Sequence, residues 1–282
     1  MCREGKKDDL VIIVKSALLD WQARSAFRSH IYQEKLRNKH LNVGIVFSVG
    51  MPRKSGGRNF YRDGHLVSLQ GKAGDLLEIY EGREKEVMDL IHQEINTFDD
   101  IILADYEDTY YNLSWKSVTN FRWMSAFCRP ENVEMFLIID VDHRVNLTMY
   151  EKFLQRVPRS KRRNAMFGYV ADKDTAYRSP KHKLFLSYKE FPWDLMQPYL
   201  RGFAQLVGPN VVDDMAIATA YTRHNYCHED VFLGLTAFKL GIPIYNEATM
   251  YDHEAYEEDN KELTPAMVAM AKYFEIVRYF RP

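Results

Sequence analysis

The chain has 282 residues, 46% of them hydrophobic and 13% aromatic, enough for a sizeable core near the upper limit of one domain. Thirty-eight basic and thirty-nine acidic side chains nearly cancel, which excludes a general electrostatic attraction to nucleic acid or anionic membrane; selectivity must lie in a local site. No apolar run reaches the roughly 18 residues of a membrane span, the N-terminus lacks a signal-peptide layout, and the chain as written reads as soluble.

Short apolar runs alternate with helical patterns. LVIIVKSAL reads as a strand, WQARSAFRSHIYQEKLRN as a helix and LNVGIVFSVG as a second strand. The Gly- and Arg-rich stretch from Pro52 to Gly74 has no sustained period and reads as a surface loop. One long helical pattern, AGDLLEIYEGREKEVMDLIHQEI, precedes the strand DDIILADY, the amphipathic NLSWKSVTNFRWMSAF and the strand MFLIIDVD. This alternation predicts an α/β fold with a mainly parallel sheet, whose ligands lie beyond the C-terminal ends of the strands.

After MFLIIDVD the pattern is less regular until helices near VVDDMAIATAYTRH and EDVFLGLTAFKLG, the second closed by Gly241. IPIYNE reads as a short strand, and TPAMVAMAKYFEIVRYF as a helix with Pro265 near its start. Cys2, Cys128 and Cys227 make neither a disulfide framework nor a zinc spacing. Asn112-Leu-Ser and Asn146-Leu-Thr match the glycosylation acceptor pattern, which matters only in the secretory pathway.

The chemistry concentrates in Asp140 and Asp142. Successive strand residues point to opposite faces, so these two carboxylates share a side while Val141 turns away. Five apolar residues, Met135 to Ile139, drive the pair to the edge of a buried sheet, where charge needs compensation. A divalent cation such as Mg²⁺ or Mn²⁺ supplies it and leaves room for phosphate oxygens; His143 and Arg144 are the protein's own alternative. Glu229 and Asp230 stand at the expected start of a helix, where acids also serve the helix dipole.

With these segments in order, the sequence resembles the β-1,3-galactosyltransferase family of inverting enzymes, related to the β-1,3-N-acetylglucosaminyltransferases and fringe, from about Leu10 to about His253. KSALLDWQARSAFRSH is similar to the family's arginine-containing first helix, and DDIILADYEDTYYNLSWKSVTNFRWMSAFC to its most specific segment. MFLIIDVDHRVN matches the D-D-D-V-F-V-N strand end, FPWDLMQPYLRGFAQLVG the Y-P-x-Y-x-x-G segment, and HEDVFLGLTAFKLGI the E-D-V-x-x-G helix.

The resemblance implies a single GT-A domain over 1–282. Residues 10–147 would bind the nucleotide sugar, residues 148–256 would bind acceptor and carry catalysis, and 257–282 would form a helical tail. It implies Mn²⁺ and a UDP-sugar donor, galactose or N-acetylglucosamine being the hexose, transferred to a glycan on protein or lipid. It also implies a luminal place in the Golgi, as a type II membrane protein, although no anchor is present in the sequence. Asp142, Asp140 and His253 would hold the metal, and Asp140, Arg24, Arg28 and Lys116 would approach the nucleotide. Asp230 would be the general base with Glu229 orienting its surroundings, and Trp193, Tyr199 and Gly202 would contact acceptor.

Departures from the family bear on activity. Val141 replaces the middle Asp, His143 and Arg144 replace apolar residues, and Phe203-Ala204 replace two glycines, whose added Cβ atoms are expected to narrow the acceptor site. Leu200 stands where a cysteine is expected, which leaves Cys128 to pair with Cys227 or stay free. A relative that keeps the fold for glycan binding or chaperoning without turnover is the other reading of these changes.

Overall fold

The structure is a computed structural model and describes residues 1–2, 5–222 and 228–247, which belong to one compact unit. In chain order the elements are β1 (Asp8–Lys15), α1 (Trp21–Arg37), β2 (Val43–Met51), β3 (Asn59–Arg62), β4 (His65–Ser68), α2 (Lys72–Ile79), α3 (Glu84–Phe98), β5 (Ile101–Glu107) and α4 (Leu113–Phe127). They continue with β6 (Val133–Asp140), α5 (Leu147–Arg156), α6 (Arg159–Arg163), β7 (Met166–Ala171), β8 (Tyr199–Val207), α7 (Val212–Tyr221), α8 (Glu229–Leu240) and β9 (Ile244–Asn246).

Seven strands form one sheet in the order β5-β2-β1-β6-β8-β7-β9. The first four are mutually parallel, β8 runs antiparallel to both β6 and β7, and β9 is parallel to β7. The sheet is therefore mostly parallel, as the alternating pattern predicts. β1 and β6 lie at its centre, which is why LVIIV and VEMFLII show no polar alternation: every one of these residues is buried. Val11, Ile13, Phe136 and Ile138 pack with Phe121 of α4, Met215 of α7 and Phe232 of α8 in one core cluster.

Two segments differ from the sequence reading. The stretch from Pro52 to Gly74 is not a bare loop: β3 and β4 pair through it as a hairpin with Phe60 opposite Val67 and Arg62 opposite His65. The turn is Asp63-Gly64, both at positive φ, and this dipeptide between short strands is itself a hairpin signal. The long pattern over residues 73–95 is two helices rather than one, divided by a turn in which Gly82 has φ +74°.

Cys128 is neither free nor bonded to Cys227. It forms a disulfide with Cys2, which ties the start of the chain to the end of α4. The geometry that decides this pairing, β1 running beside β6 just after α4, cannot be read from cysteine spacing.

Candidate active site

Lys15 and Asp140 are the last residues of their strands and are register partners, so both open onto the edge where the parallel strands end. β8 runs the other way, which brings its N-terminal half to that same edge, with Ala204 opposite Ile139 and Gly202 just beyond. The N-terminus of α8 is laid against this half of β8 by two glycines. A Cβ at Gly234 would stand 2.3 Å from the Cβ of Tyr199, and one at Gly202 would stand 2.7 Å from Glu229 Oε1. Only hydrogen at both positions lets helix and strand approach so closely.

The result is a charged knot whose lysine and glutamate are buried. The Lys15 ammonium donates to Glu229 Oε1 at 2.7 Å and to the Gly202 carbonyl at 2.8 Å, and pairs with Asp140 Oδ1 at 2.9 Å. Burial opposes its charge, yet Asp140 and Glu229 together push its pKa well above the usual lysine range. Burial likewise opposes ionisation of Glu229, but the Lys15 ammonium holds its carboxyl below the usual range. Among the described residues Asp230 forms no ion pair. Its carboxylate accepts from the Val231 and Gly202 N–H groups at 2.8 and 3.3 Å, while burial and then the Glu229 charge push its pKa up to about 7.

Asp140, Asp142 and His143 bring one ligand atom each to within 4.8 Å of one another. Strand alternation does not do this, because β6 ends at Asp140. A turn does, closed by the His143 N–H on the Asp140 carbonyl and the Val141 N–H on the Lys15 carbonyl, both at 3.1 Å. His143 Nδ1 meets Asp142 Oδ1 at 2.8 Å, a contact that raises the imidazole pKa and lowers that of the carboxyl. Burial, the Glu229 charge and the Asp142 charge raise the pKa of Asp140 against the pull of Lys15. The imidazole lies flat on Phe203, ring centroids 5.1 Å apart and planes 8° off parallel. Phe203, expected to narrow an acceptor site, thus backs the third member of the cluster.

The galactosyltransferase family model matches residues 77–248, more than half of the chain and all of this edge except Lys15. The chain belongs to the galactosyltransferase family. Among curated proteins it is 24% identical over 235 residues to the rat lactosylceramide 1,3-N-acetyl-beta-D-glucosaminyltransferase, covering 83% of this chain and 55% of that protein. It is 29% identical over 164 residues to the rat UDP-GalNAc:beta-1,3-N-acetylgalactosaminyltransferase 1, covering 58% and 48%. A Xenopus laevis lactosylceramide 1,3-N-acetyl-beta-D-glucosaminyltransferase B is 25% identical over 236 residues, covering 83% and 55%. The chain spans about half the length of these relatives. A solved 4-diphosphocytidyl-2C-methyl-D-erythritol synthase aligns with a TM-score of 0.37 at 8% identity over 95% of this chain and 99% of that one, which bears on neither fold nor function.

Within this galactosyltransferase-family chain the predicted site residues fall into two groups. Asp140, Asp142, Gly202, Glu229 and Asp230 share the sheet edge. The three predicted nucleotide-side cations turn to protein partners instead. Arg24 is fully buried, forks onto Glu94 at 2.9 and 2.7 Å, and donates to Ser16 Oγ and the carbonyls of Ala17 and Leu18. Arg28 grips Glu94 and Asp100 between the rings of Phe47 and Phe98. Lys116 is buried against Asp108 Oδ1 at 3.0 Å and donates to the Ser16 carbonyl. Arg24 and Lys116 thereby fix the turn that follows Lys15.

Tyr199 is 2% exposed and offers no face for stacking on a sugar: its hydroxyl donates to Asp174 at 2.5 Å and accepts from Arg201 at 2.8 Å, with Arg201 paired to Asp174. Trp193 is 56% exposed and packs edge-on against Phe191. His253 and Cys227 lie outside the described residues. Sequence reasoning missed Lys15 altogether. A lysine ending an apolar strand was visible, but the register that sets it beside Asp140 was not.

Proposed function

We propose that this chain carries the catalytic domain, GT-A in type, of an inverting hexosyltransferase that moves a hexose from a UDP-sugar to a glycan hydroxyl in β-1,3 linkage. The observation that carries this reading is the meeting of two acidic groups at one sheet edge: Asp140 and Asp142 with His143 on one side, Glu229 and Asp230 on the other. Family membership and the names of the relatives support the reaction class. Galactose, N-acetylglucosamine and N-acetylgalactosamine are the donor sugars to compare.

The two carboxylates and the imidazole fit Mn²⁺, since an oxygen-and-nitrogen set with atoms within 4.8 Å of each other suits a borderline divalent ion. Such an ion, when bound, neutralises the diphosphate charge that grows as the glycosidic bond breaks. Asp142, the more exposed carboxylate, would face it directly, with Asp140 and His143 beside it; His253 is proposed on the resemblance alone.

Asp230 would take the proton of the acceptor hydroxyl as its oxygen attacks the anomeric carbon. A carboxylate with a pKa near 7 is a far better proton acceptor than an ordinary one and is still half ionised at neutral pH. Glu229, fixed by Lys15, would keep its charge and hold its neighbour's proton affinity high. Trp193 offers an exposed aromatic face to an acceptor sugar, and Gly202 the close backbone approach between strand and base.

The Cys2 to Cys128 disulfide supports residence in an oxidising compartment, and the Golgi lumen is proposed on the family's account. Among the described residues no helix is long and apolar enough to cross a membrane. The deciding experiment is UDP release with Mn²⁺ and UDP-galactose, UDP-N-acetylglucosamine or UDP-N-acetylgalactosamine, each with and without β-linked glycan acceptors. Acceptor-dependent release with one donor is expected. A folded chain that turns over none of the three overturns the reading.

A further inference from the structure

We infer that Lys15 is a positioning residue that locks the cation-side carboxylate Asp140 and the base-side carboxylate Glu229 into one rigid unit; this rests on the transferase reading above. Four observations carry it. The side chain is 3% exposed, so the ammonium has no solvent to lean on. It has three N–H groups, and three acceptors stand around it at 2.7, 2.8 and 2.9 Å: Glu229 Oε1, the Gly202 carbonyl and Asp140 Oδ1. No N–H is left to hold a phosphate, which separates it from a phosphate anchor.

The contacts also cross the fold. They join the end of β1 to the end of β6, the middle of β8 and the first turn of α8, partners 125 to 214 positions from Lys15 in sequence. Finally, the chain just after the Lys15 Cα is itself pinned: the Lys15 carbonyl accepts from the Val141 N–H, the Ser16 carbonyl from buried Lys116, and the Ser16 hydroxyl from buried Arg24. A long flexible side chain is thus held at both ends.

Two effects of opposite sign follow. Glu229 and Asp230 are adjacent in the first turn of α8, so releasing Glu229 lets the proposed base drift, and misplacement on the order of 1 Å costs about 10²-fold in turnover. At the other end, the ammonium places a positive charge on Asp140 beside the proposed cation site. Removing it lowers the repulsion felt by a divalent cation, so Mn²⁺ binds more tightly, by about 3-fold or more. A merely structural lysine would weaken both when lost.

The test compares wild type, Lys15→Met and Lys15→Arg in two assays, Mn²⁺ binding by calorimetry without donor and steady-state UDP release. Lys15→Met is expected to bind Mn²⁺ about 3-fold tighter and to lose about 10²-fold in kcat with little change in donor KM. Lys15→Arg keeps the charge but not the three-point fit, so its Mn²⁺ affinity should match wild type while kcat falls. Should Lys15→Met not fold, Lys15→Arg decides: kcat within 2-fold of wild type overturns the inference. Weaker Mn²⁺ binding in Lys15→Met, or both values unchanged, overturns it as well. A wild type that transfers no hexose ends the transferase reading; the Mn²⁺ arm then still decides whether Lys15 acts on the cation side.

Discussion

Glu229 Oε1 stands where the absence of a side chain at Gly202 lets it stand: a Cβ there would come within 2.7 Å of that oxygen and 3.4 Å of the Asp230 Cβ. The oxygen cannot swing aside cheaply, because Lys15 holds it at 2.7 Å. Gly202→Ala should therefore displace the first turn of α8. Overpacking of this kind costs about 1–3 kcal/mol. In kinetics, kcat is expected to fall about 10-fold or more while donor KM stays within about 3-fold. Wild-type turnover in Gly202→Ala would show that the close approach has no catalytic consequence.

Asp230→Asn keeps the shape of the side chain and an oxygen for a backbone N–H. It removes the proposed proton acceptor, so kcat should fall by about 10² to 10⁴ with donor binding nearly unchanged. Glu229→Gln should cost less. Near-normal transfer by Asp230→Asn would leave the acids of α8 as partners of the helix dipole and nothing more.

The raised pKa of Asp230, about 7, makes a statement about pH with a definite sign. In the folded chain this carboxyl holds its proton up to about pH 7, whereas unfolded it releases it near the ordinary 3.8. Between these values the native state binds more protons, so Asp230 makes stability fall as pH rises through that window. Asp230→Asn should flatten that slope, seen in urea unfolding at pH 5 and pH 8. Catalysis runs the other way, since the base acts only when ionised: kcat/KM should climb through about pH 7. A flat profile from pH 6 to 8 would contradict the assignment.

Asp142→Ala should abolish Mn²⁺-dependent UDP binding while leaving metal-free thermal stability almost intact, because this carboxylate is 78% exposed. His143 loses the partner that raises its pKa and should titrate lower, a shift visible in its NMR signals. Unchanged UDP affinity at saturating Mn²⁺ would remove Asp142 from the cation site.

Peptide mapping without reductant should find Cys2 joined to Cys128. Cys2→Ser and Cys128→Ser should each lower stability by a similar amount, about 2–4 kcal/mol, because both remove the same cross-link. A Cys128 to Cys227 peptide would overturn the pairing.

The central strands were legible because burial on both faces leaves an unmistakable mark: LVIIV and MFLII carry no polar residue. β7 and β8 were not. Gly168, Arg201 and Gln205 interrupt their apolar patterns, and a strand whose direction reverses leaves no local sign of it. Asp140, Asp142 and the two acids of α8 were found through short motifs. Lys15 was not, because its role comes from strand register and from contacts with residues 140, 202 and 229. Arg24 and Lys116 showed their charge to a sequence reader and hid their partners: Glu94 lies 70 positions from Arg24 and in no motif, and Asp108, although inside the family's most specific segment, carries no sign that it pairs with Lys116.

The antiparallel β8 has a consequence for how the chain is made. A polypeptide emerging from the ribosome can lay β1, β2, β5 and β6 side by side once residue 140 is out, with Lys15 already facing Asp140. Of the other two acceptors of that ammonium, the Gly202 carbonyl is synthesised 62 residues after Asp140 and Glu229, the last, 89 residues after it. Late arrival makes the first turn of α8 the closing contact between the two halves of the chain, so premature termination before residue 229 would leave a nearly complete sheet with a charged, unfinished edge.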